Sequence, residues 1–230
     1  MIDILGIIPA RGGSKGIPGK NIKKLAGKPL IAWTIQTALE SNVLNRVIVS
    51  TDAEKIARVA REWGAEVPFI RPANLAEDTS SSLSVVEHAL QWLGEHEHYE
   101  PEYVLLLQPT SPLRTKDDIR IATEIAESRN ATAVVSVCEA TPHPYLVKKI
   151  SENGMLEDFI PQNTTYNRRQ DMPPAYALNG AIYLNRSYSL IKNHTFIPKD
   201  TVAYIMPKER SIDIDSPLDF QLAELILNNS

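Results

Sequence analysis

One stretch of sequence decides the fold, DILGIIPARGGSKGIPGKN at residues 3–21. Its first seven residues are mostly apolar, which is typical of a strand buried on both faces of a parallel sheet. The rest contains four glycines together with Arg11, Lys15 and Lys20. Glycine lets backbone N–H groups approach an anion closely, and the three cations add positive charge. The stretch predicts a strand followed by a phosphate-binding loop, with a triphosphate as the natural ligand.

The loop has a second interpretation, as a flexible surface loop whose lysines are solvated. From this stretch alone the two interpretations are equally supported. The spacing does not match the Walker A motif, because no Gly-Lys-Ser/Thr sequence follows four residues after a glycine. P-loop ATPases and GTPases are therefore disfavoured.

Outward from this stretch, apolar runs alternate with helical patterns, as in a parallel sheet covered by helices. Asp52 is expected to cap the second helix and Gly64 to end it. The sequence predicts an α/β fold, a Rossmann-like, doubly wound and mostly parallel sheet, in a single domain over residues 1–230. The predicted strands are residues 3–9, 46–50, 66–70, 103–107, 132–138, 180–184 and 202–206, and the predicted helices are residues 29–41, 52–63, 83–95, 117–128 and 217–227.

The alternation of strands and helices breaks after Glu139. Residues 146–159 predict a hairpin around Asn153-Gly154, a strong turn signal, and a polar stretch follows. We interpret residues 140–175 as an excursion from the core, because the segment is too short to have its own hydrophobic centre. Such a hairpin needs another surface to pack against, so we expect it to mediate dimerisation.

Composition limits the classes of protein. The chain has 24 Lys and Arg against 28 Asp and Glu, a formal net charge of −4, which disfavours a general nucleic-acid binder. The single Cys138 cannot form an internal disulfide, and this fits a reducing cytosol. No apolar run approaches the roughly 20 residues that span a bilayer. We expect a cytoplasmic protein without membrane or nucleic-acid partners.

Five segments, in order, resemble a known family. Residues 8–21 resemble the opening motif of the CMP-sialic acid synthetases (acylneuraminate cytidylyltransferases), which include CMP-legionaminic acid synthetases. The resemblance implies an enzyme that joins CTP to the anomeric hydroxyl of a nonulosonic acid, such as N-acetylneuraminic or legionaminic acid, and releases pyrophosphate with Mg²⁺. The later segments that resemble the family are RP at residues 71–72 with DTS at residues 78–80, LQPTSPLR at residues 107–114, NGAIY at residues 179–183 and SIDID at residues 211–215.

The resemblance also implies roles for individual residues. The catalytic residues would be Arg11, Lys15, Asp213 and Asp215, the last two as Mg²⁺ ligands. The nucleotide would be bound by Arg11, Gly12, Ser14, Lys15, Lys20, Asn21, Arg71 and Ser82. The sugar would be bound by Gln108, Arg169, Asn179, Tyr183 and Phe196. Arg169 matches the carboxylate-binding arginine by its distance from Asn179, with neighbouring Arg168 as the alternative.

The acidic pair Asp213 and Asp215 has a physical argument of its own. Residues two apart in an extended segment point to the same face, so both carboxylates can reach one hard cation. The alternative is that an acid just before the helix start at Ser216-Pro217 complements the helix dipole. Position alone leaves both open, and the resemblance favours the metal.

One departure from the family pattern concerns the sugar. Sialic acid members often have Arg-Pro immediately before Asn-Gly, whereas this chain has Ala177-Leu178. The change removes a cation near the sugar site and favours a relative such as legionaminic acid. Two other functions remain open. One is a Kdo-type cytidylyltransferase, whose opening loop usually lacks Gly-Gly-Ser-Lys. The other is a non-catalytic nucleotide-binding regulator, which predicts damage to the Asp pair or loop cations, and both are intact.

Overall fold

The computed structural model describes residues 2–161, 166 and 168–229. Its strands are β1 Ile4–Pro9, β2 Lys24–Leu25, β3 Lys28–Pro29, β4 Arg46–Ser50, β5 Tyr103–Leu106, β6 Ala133–Glu139, β7 Lys148–Ile150, β8 Leu156–Asp158, β9 Tyr176–Arg186 and β10 Val202–Ile205. Its helices are α1 Leu30–Glu40, α2 Glu54–Glu62, α3 Ser82–Glu97, α4 Lys116–Arg129, α5 Ser187–Asn193 and α6 Pro217–Asn228. Within this part of the chain, no helix has the length and apolar character needed to cross a membrane.

The central sheet carries helices on both faces. Ile4 and Ile8 of β1 pack in one cluster with α1, α2 and α4, whereas Leu5 and Ile7 pack on the other face with α3 and α5. Alternation of side chains along a strand produces this division, and both halves are fully buried. The predicted doubly wound α/β architecture is confirmed.

The sheet has six strands in the order β10-β6-β9-β5-β1-β4. β9 runs antiparallel to both of its neighbours, and the remaining pairs are parallel. The prediction of a mostly parallel sheet is therefore confirmed, although β9 is longer than the predicted residues 180–184. Its pairing with β6 shifts register between Val135, which pairs with Tyr183, and Val137, which pairs with Leu178.

Two local predictions are wrong. Residues 66–70 do not form a strand but make two isolated parallel bridges, from Glu66 to Ile48 and from Ile70 to Thr51. Pro68, between them, has no N–H to continue a ladder. Asp52 does not cap α2: the N-cap is Ala53, without a side-chain hydrogen bond, because the Asp52 carboxylate accepts from Gly12 instead.

The predicted hairpin after β6 is present. β7 and β8 pair in antiparallel fashion, and the turn between them places Gly154 at φ +81°. Glycine takes this left-handed conformation without a steric penalty, which explains why Asn153-Gly154 signals the turn. The hairpin is shorter than the predicted residues 146–159.

A buried carboxylate fixes the chain where it enters residues 211–215. Asp118, in the first turn of α4, accepts hydrogen bonds from Thr115, from the Tyr204 hydroxyl at 2.7 Å and from Arg210 Nη2 at 2.6 Å. Burial acts to raise the pKa of Asp118, but the hydrogen bonds from Arg210, Thr115 and Tyr204 outweigh it and lower this pKa below its ordinary value. The ionised form of Asp118 therefore stabilises the fold.

Replacing Asp118 with Asn should lower the free energy of unfolding by about 2–3 kcal/mol, because donors that meet a carboxylate would be left poorly paired. Tyr204→Phe, which removes one donor, should cost about 1 kcal/mol. Urea denaturation at neutral pH measures both, and equal stability of Asp118→Asn and wild type would contradict the assignment.

The same pair of proteins gives a pH test. Because the pKa of Asp118 is lowered on folding, its contribution is complete at neutral pH and is lost as the pH falls through and below about 4. The stability difference between wild type and Asp118→Asn should therefore shrink over that range in a denaturation series.

Candidate functional site

A cleft of about 410 Å³ opens at the carboxyl ends of β1 and β5. Ligands of open α/β sheets bind at this edge. The cleft also reaches the N-terminus of α3 and the extended segment before α6. Most of the predicted residues line it, namely Arg11, Ser14, Lys15, Lys20, Asn21, Arg71, Ser82, Gln108, Asp213 and Asp215.

The glycine-rich loop is held in place by polar contacts from distant segments. Gly12 N donates to Asp52 Oδ1 at 2.9 Å, and Asn21 Nδ2 donates to the Arg11 carbonyl at 3.0 Å. Gly16 lies against the segment before α6, where a Cβ would sit 2.7 Å from the Asp215 carbonyl oxygen. Only glycine permits this approach. The amide of Gly12 is thus used within the protein, and Gly12 does not line the cleft.

Two cations of the loop share one carboxylate. Arg11 Nη1 lies 2.6 Å from Asp78 Oδ1, and Lys15 Nζ pairs with Asp78 Oδ2. Asp78 also lines the cleft and lies between β4 and α3 in sequence. The third cation, Lys20, donates to the Ile214 carbonyl at 2.7 Å and lies 3.6 Å from Asp215. All three cations therefore converge on the cleft.

Arg71 is a buried cation with spare hydrogen-bonding capacity. Its side chain is 3% exposed, Nη2 lies 3.7 Å from Asp52, and Nε has no hydrogen-bond partner among the described residues. Burial lowers the pKa of Arg71, Asp52 opposes the effect and Arg11 reinforces it. A buried donor without a partner is costly unless a ligand completes it. Arg71 lines the cleft beside Ser82, so a ligand there can supply the acceptor.

The acidic pair faces the cleft as its spacing predicts. Asp213 and Asp215 are exposed on either side of Ile214, which is fully buried. The cap of α6 is formed by Ser216 and Asp219, with Ser216 N donating to Asp219 Oδ2 at 2.7 Å, so the Asp215 carboxylate is not used as the cap. Although the Asp213 carboxylate reaches the cleft, the surrounding protein shields it from water and raises its pKa; a hydrogen bond from Thr110 opposes this, and Asp215 raises the pKa further.

The donor set fits Mg²⁺ with substrate oxygens as further ligands. Two neighbouring carboxylates repel each other, and a cation would relieve that repulsion. Among the described residues, no group of three or more His, Cys, Asp and Glu is arranged to hold a metal. Mg²⁺ is commonly held by one or two carboxylates together with water and phosphates, so the pair Asp213 and Asp215 suffices.

Gly180 lets three polar side chains meet. It has φ +72°, and a Cβ there would lie 2.8 Å from Gln108 Oε1 and 3.5 Å from both Ser111 Oγ and Asp213 Oδ2. A side chain at this position would displace Gln108 from the cleft. The glycine of Asn179-Gly180 therefore joins the predicted sugar residue Gln108 to the predicted metal residue Asp213.

Three predicted sugar residues, Asn179, Tyr183 and Phe196, lie outside the lining of the cleft. Asn179 is buried, accepts from Ser136 Oγ at 2.5 Å and donates to Ser211 Oγ at 3.0 Å. Tyr183 and Phe196 are half-buried with ring centroids 5.5 Å apart. Arg169 begins a short 3-10 turn, Arg169–Asp171, and its side chain falls outside the described structure. The sugar-binding roles of these residues stay predictions.

Two site residues were missed by the sequence reasoning. Asp52 lies two residues after the end of β4, and its place at the carboxyl edge of a strand is a signal that could have identified it. Asp78 was noted only as part of a motif. Nothing in its local pattern indicates that it pairs with Arg11 and Lys15, more than sixty residues earlier, because that contact depends on tertiary structure.

Two curated proteins are similar in sequence to this chain over nearly its whole length. A CMP-N,N'-diacetyllegionaminic acid synthase from Legionella pneumophila is 40% identical over 228 residues, covering 97% of this chain and 96% of that protein. An N-acylneuraminate cytidylyltransferase from Escherichia coli is 37% identical over 221 residues, covering 96% of this chain. The chain spans about half the length of that second relative, 51%.

A solved structure shares the fold. CMP:2-keto-3-deoxy-manno-octonic acid synthetase, solved in complex with CTP, superposes with a TM-score of 0.72 and covers 99% of both chains at 17% identity. At that identity the likeness concerns the fold alone. The family assignment rests on sequence: residues 5–222 match the family model described as Cytidylyltransferase, and the chain belongs to that cytidylyltransferase family.

Proposed function

We propose that the chain is a Mg²⁺-dependent CMP-nonulosonate synthetase, which transfers the cytidylyl group of CTP to the anomeric hydroxyl of a nonulosonic acid. One observation carries the proposal: the loop cations and the acidic pair line a single cleft, with Lys20 3.6 Å from Asp215. Cations suit the phosphates of a nucleoside triphosphate, and the acidic pair suits the metal that accompanies them. The intact set argues against a regulator that has lost catalysis.

In the proposed reaction the anomeric oxygen bonds to the α-phosphorus of CTP. The bond from that phosphorus to the bridging oxygen breaks, pyrophosphate leaves and the hydroxyl proton is released. Arg11 and Lys15 oppose the negative charge that grows on the α-phosphate and the leaving group, and Lys20 supports them. Positioned charges of this kind supply most of the acceleration in related transfers. Mg²⁺, held by Asp213 and Asp215, would neutralise further phosphate charge when bound.

Arg71 and Ser82 are the residues proposed to select the base of the nucleotide. Both line the cleft, and the Arg71 guanidinium can donate to a carbonyl oxygen, which a cytosine ring presents. Asn21, fixed against the Arg11 carbonyl, is assigned to the ribose side. Gln108 offers an amide to the polyhydroxylated sugar.

For the acceptor we favour a deoxy, diacylated nonulosonic acid such as N,N'-diacetyllegionaminic acid. The 40% identical relative from Legionella is named for that sugar. Ala177-Leu178 supports the same choice, since an apolar Leu178, 53% exposed, stands on β9 just before Asn179. An apolar border suits a sugar with fewer exposed polar groups. Kdo, the eight-carbon acid of the solved neighbour, is supported only by fold.

The proposed enzyme is a homodimer that uses the hairpin β7–β8. Ile150 and Leu156 are paired across the two strands and are 74% and 73% exposed. Met155 and Phe159, at its turn and end, are also exposed. An apolar cluster on a projecting hairpin is unfavourable in water, and a second copy of the chain would bury it.

Pyrophosphate release from CTP tests the activity and the metal together. Wild type should release pyrophosphate only when CTP, a nonulosonic acid and a divalent cation are all present. Asp213→Asn should lower kcat by about a hundredfold or more, as loss of one electrostatic stabiliser can. Asp117→Asn, which changes an exposed carboxylate on α4 away from the cleft, is the matched control. Wild-type turnover of Asp213→Asn at limiting Mg²⁺ would refute the metal assignment.

The choice of acceptor is tested by comparing two sugars at saturating CTP. The kcat/KM for N,N'-diacetyllegionaminic acid should exceed that for N-acetylneuraminic acid by about ten- to a hundredfold, because small changes in an apolar pocket contribute only ~1–3 kcal/mol. Leu178→Arg should reduce this preference. A higher kcat/KM of wild type for N-acetylneuraminic acid would contradict the proposed acceptor and indicate a sialic acid enzyme.

Sedimentation analysis tests the dimer. Wild type should sediment as a dimer, and Leu156→Glu should sediment as a monomer because burying an unpaired charge in an interface is strongly unfavourable. Leu225→Glu, which alters an exposed leucine on α6, should remain dimeric. A monomeric wild type at micromolar concentration would overturn the role of the hairpin.

A further inference from the structure

Asp78 occupies an unusual position for a carboxylate in a cleft that should receive phosphates. Its two oxygens are divided between two cations, Arg11 on one and Lys15 on the other. A hydrogen bond from Lys15, and to a smaller extent one from Arg11, lowers the pKa of Asp78, so Asp78 is ionised at neutral pH. The contact joins two separate parts of the cleft lining, because Arg11 and Lys15 follow β1 whereas Asp78 lies in the segment before α3.

The two cations have no comparable alternative partner. Arg11 and Lys15 form no other ion pair among the described residues, and the side chain of Lys15 is 80% exposed. Of the other acids near the loop, Asp52 faces Gly12 N and Arg71, and Asp215 faces Lys20. Asp78 alone therefore determines where these two side chains lie before a nucleotide binds.

A triphosphate and Asp78 compete for the same donors. Phosphate oxygens are strong acceptors for guanidinium and ammonium groups, and several of them offer more charge than one carboxylate. Asp78 also lines the cleft, so its negative charge repels the ligand at short range. Binding must exchange the carboxylate for phosphate oxygens, and loss of pyrophosphate must reverse the exchange.

We propose that Asp78 is a positioning residue that holds Arg11 and Lys15 ready for the nucleotide, gives them up to its phosphates, and takes them back as pyrophosphate leaves. The inference rests on the proposed function. Under this proposal Asp78 lowers the affinity of the protein for CTP and makes the release of pyrophosphate easier. An exposed ion pair of ordinary kind would have neither effect, since such pairs contribute little.

Asp78→Asn tests the inference, because asparagine keeps the size and removes the charge. Measured by calorimetry with Mg²⁺, pyrophosphate should bind about three- to tenfold more tightly to Asp78→Asn than to wild type, and the KM for CTP should fall by a similar factor. Pyrophosphate should become a correspondingly stronger product inhibitor. The difference should shrink at high salt, because screening weakens charge effects at exposed groups.

Two further variants separate a specific exchange from general effects. Glu77→Gln removes a charge from the same cleft lining, where no ion-pair partner for Glu77 is found in the described structure, and should shift pyrophosphate affinity less than twofold. Asp78→Glu, which keeps the charge, should return affinity toward the wild-type value.

The outcomes that overturn the inference are distinct from failure of the proposed function. An active wild type whose pyrophosphate affinity is unchanged in Asp78→Asn refutes the exchange alone. Weaker pyrophosphate binding in Asp78→Asn would show that Asp78 only supports the loop. If Glu77→Gln raised the affinity for pyrophosphate as much as Asp78→Asn does, the effect would come from the total charge of the cleft lining and not from an exchange of partners at Asp78. Wild type that forms no CMP-sugar from any nonulosonic acid would refute the proposed function itself.

Discussion

The geometry of the site depends on a buried cation that lies behind it. Arg114 is buried, and its guanidinium donates to the Ala181 carbonyl at 2.7 Å and to Thr34 Oγ1 at 3.0 Å. Burial lowers the pKa of Arg114, and Asp118 opposes the effect. Removing a guanidinium from water is expensive and is offset only by well-directed bonds. These bonds join the loop after β5 to α1 and to β9. Since Ala181 adjoins Gly180, they also set where Gln108 and the acidic segment meet.

Much of the fold could be predicted because its strands are buried on both faces. A continuous apolar run such as residues 103–107 has few alternatives, and strand and helix alternation then predicts the double winding. Two features resisted prediction. The antiparallel direction of β9 could not be predicted from its short apolar sequence, because a buried strand has the same apolar pattern in parallel and antiparallel pairing. Residues 66–70 carry a strand-like composition, but Pro68 breaks the ladder, and only the neighbouring strand reveals which N–H groups are needed.

The candidate site was predictable to the extent that its residues lie in ordered motifs at strand ends. The loop cations, Gln108 and the acidic pair fall in one cleft for that reason. Sequence did not reveal that Asn21 is turned toward the Arg11 carbonyl, or that Asp78 bridges two cations. Both contacts depend on how loops separated in sequence approach one another. A polar residue in a motif can bind ligand or hold a neighbour, and only the three-dimensional partners distinguish these roles.

The cations of the cleft are each paired with a carboxylate, in a chain whose net charge is negative. A chain with net charge −4 repels anions overall, so an anionic ligand must be attracted by a local cluster of cations. Such a cluster would also repel itself. Carboxylates in or beside the cleft reduce that repulsion, in the pairs Arg11 and Lys15 with Asp78, Lys20 with Asp215, and Arg71 with Asp52. Each cation is thus held close to its working position before any phosphate arrives, which reduces the entropy lost on binding. In the proposed reaction, phosphate oxygens would replace these carboxylates as partners of the loop cations. The affinity for the ligand would then be the difference between two sets of ion pairs, and a small difference would let a highly charged product leave.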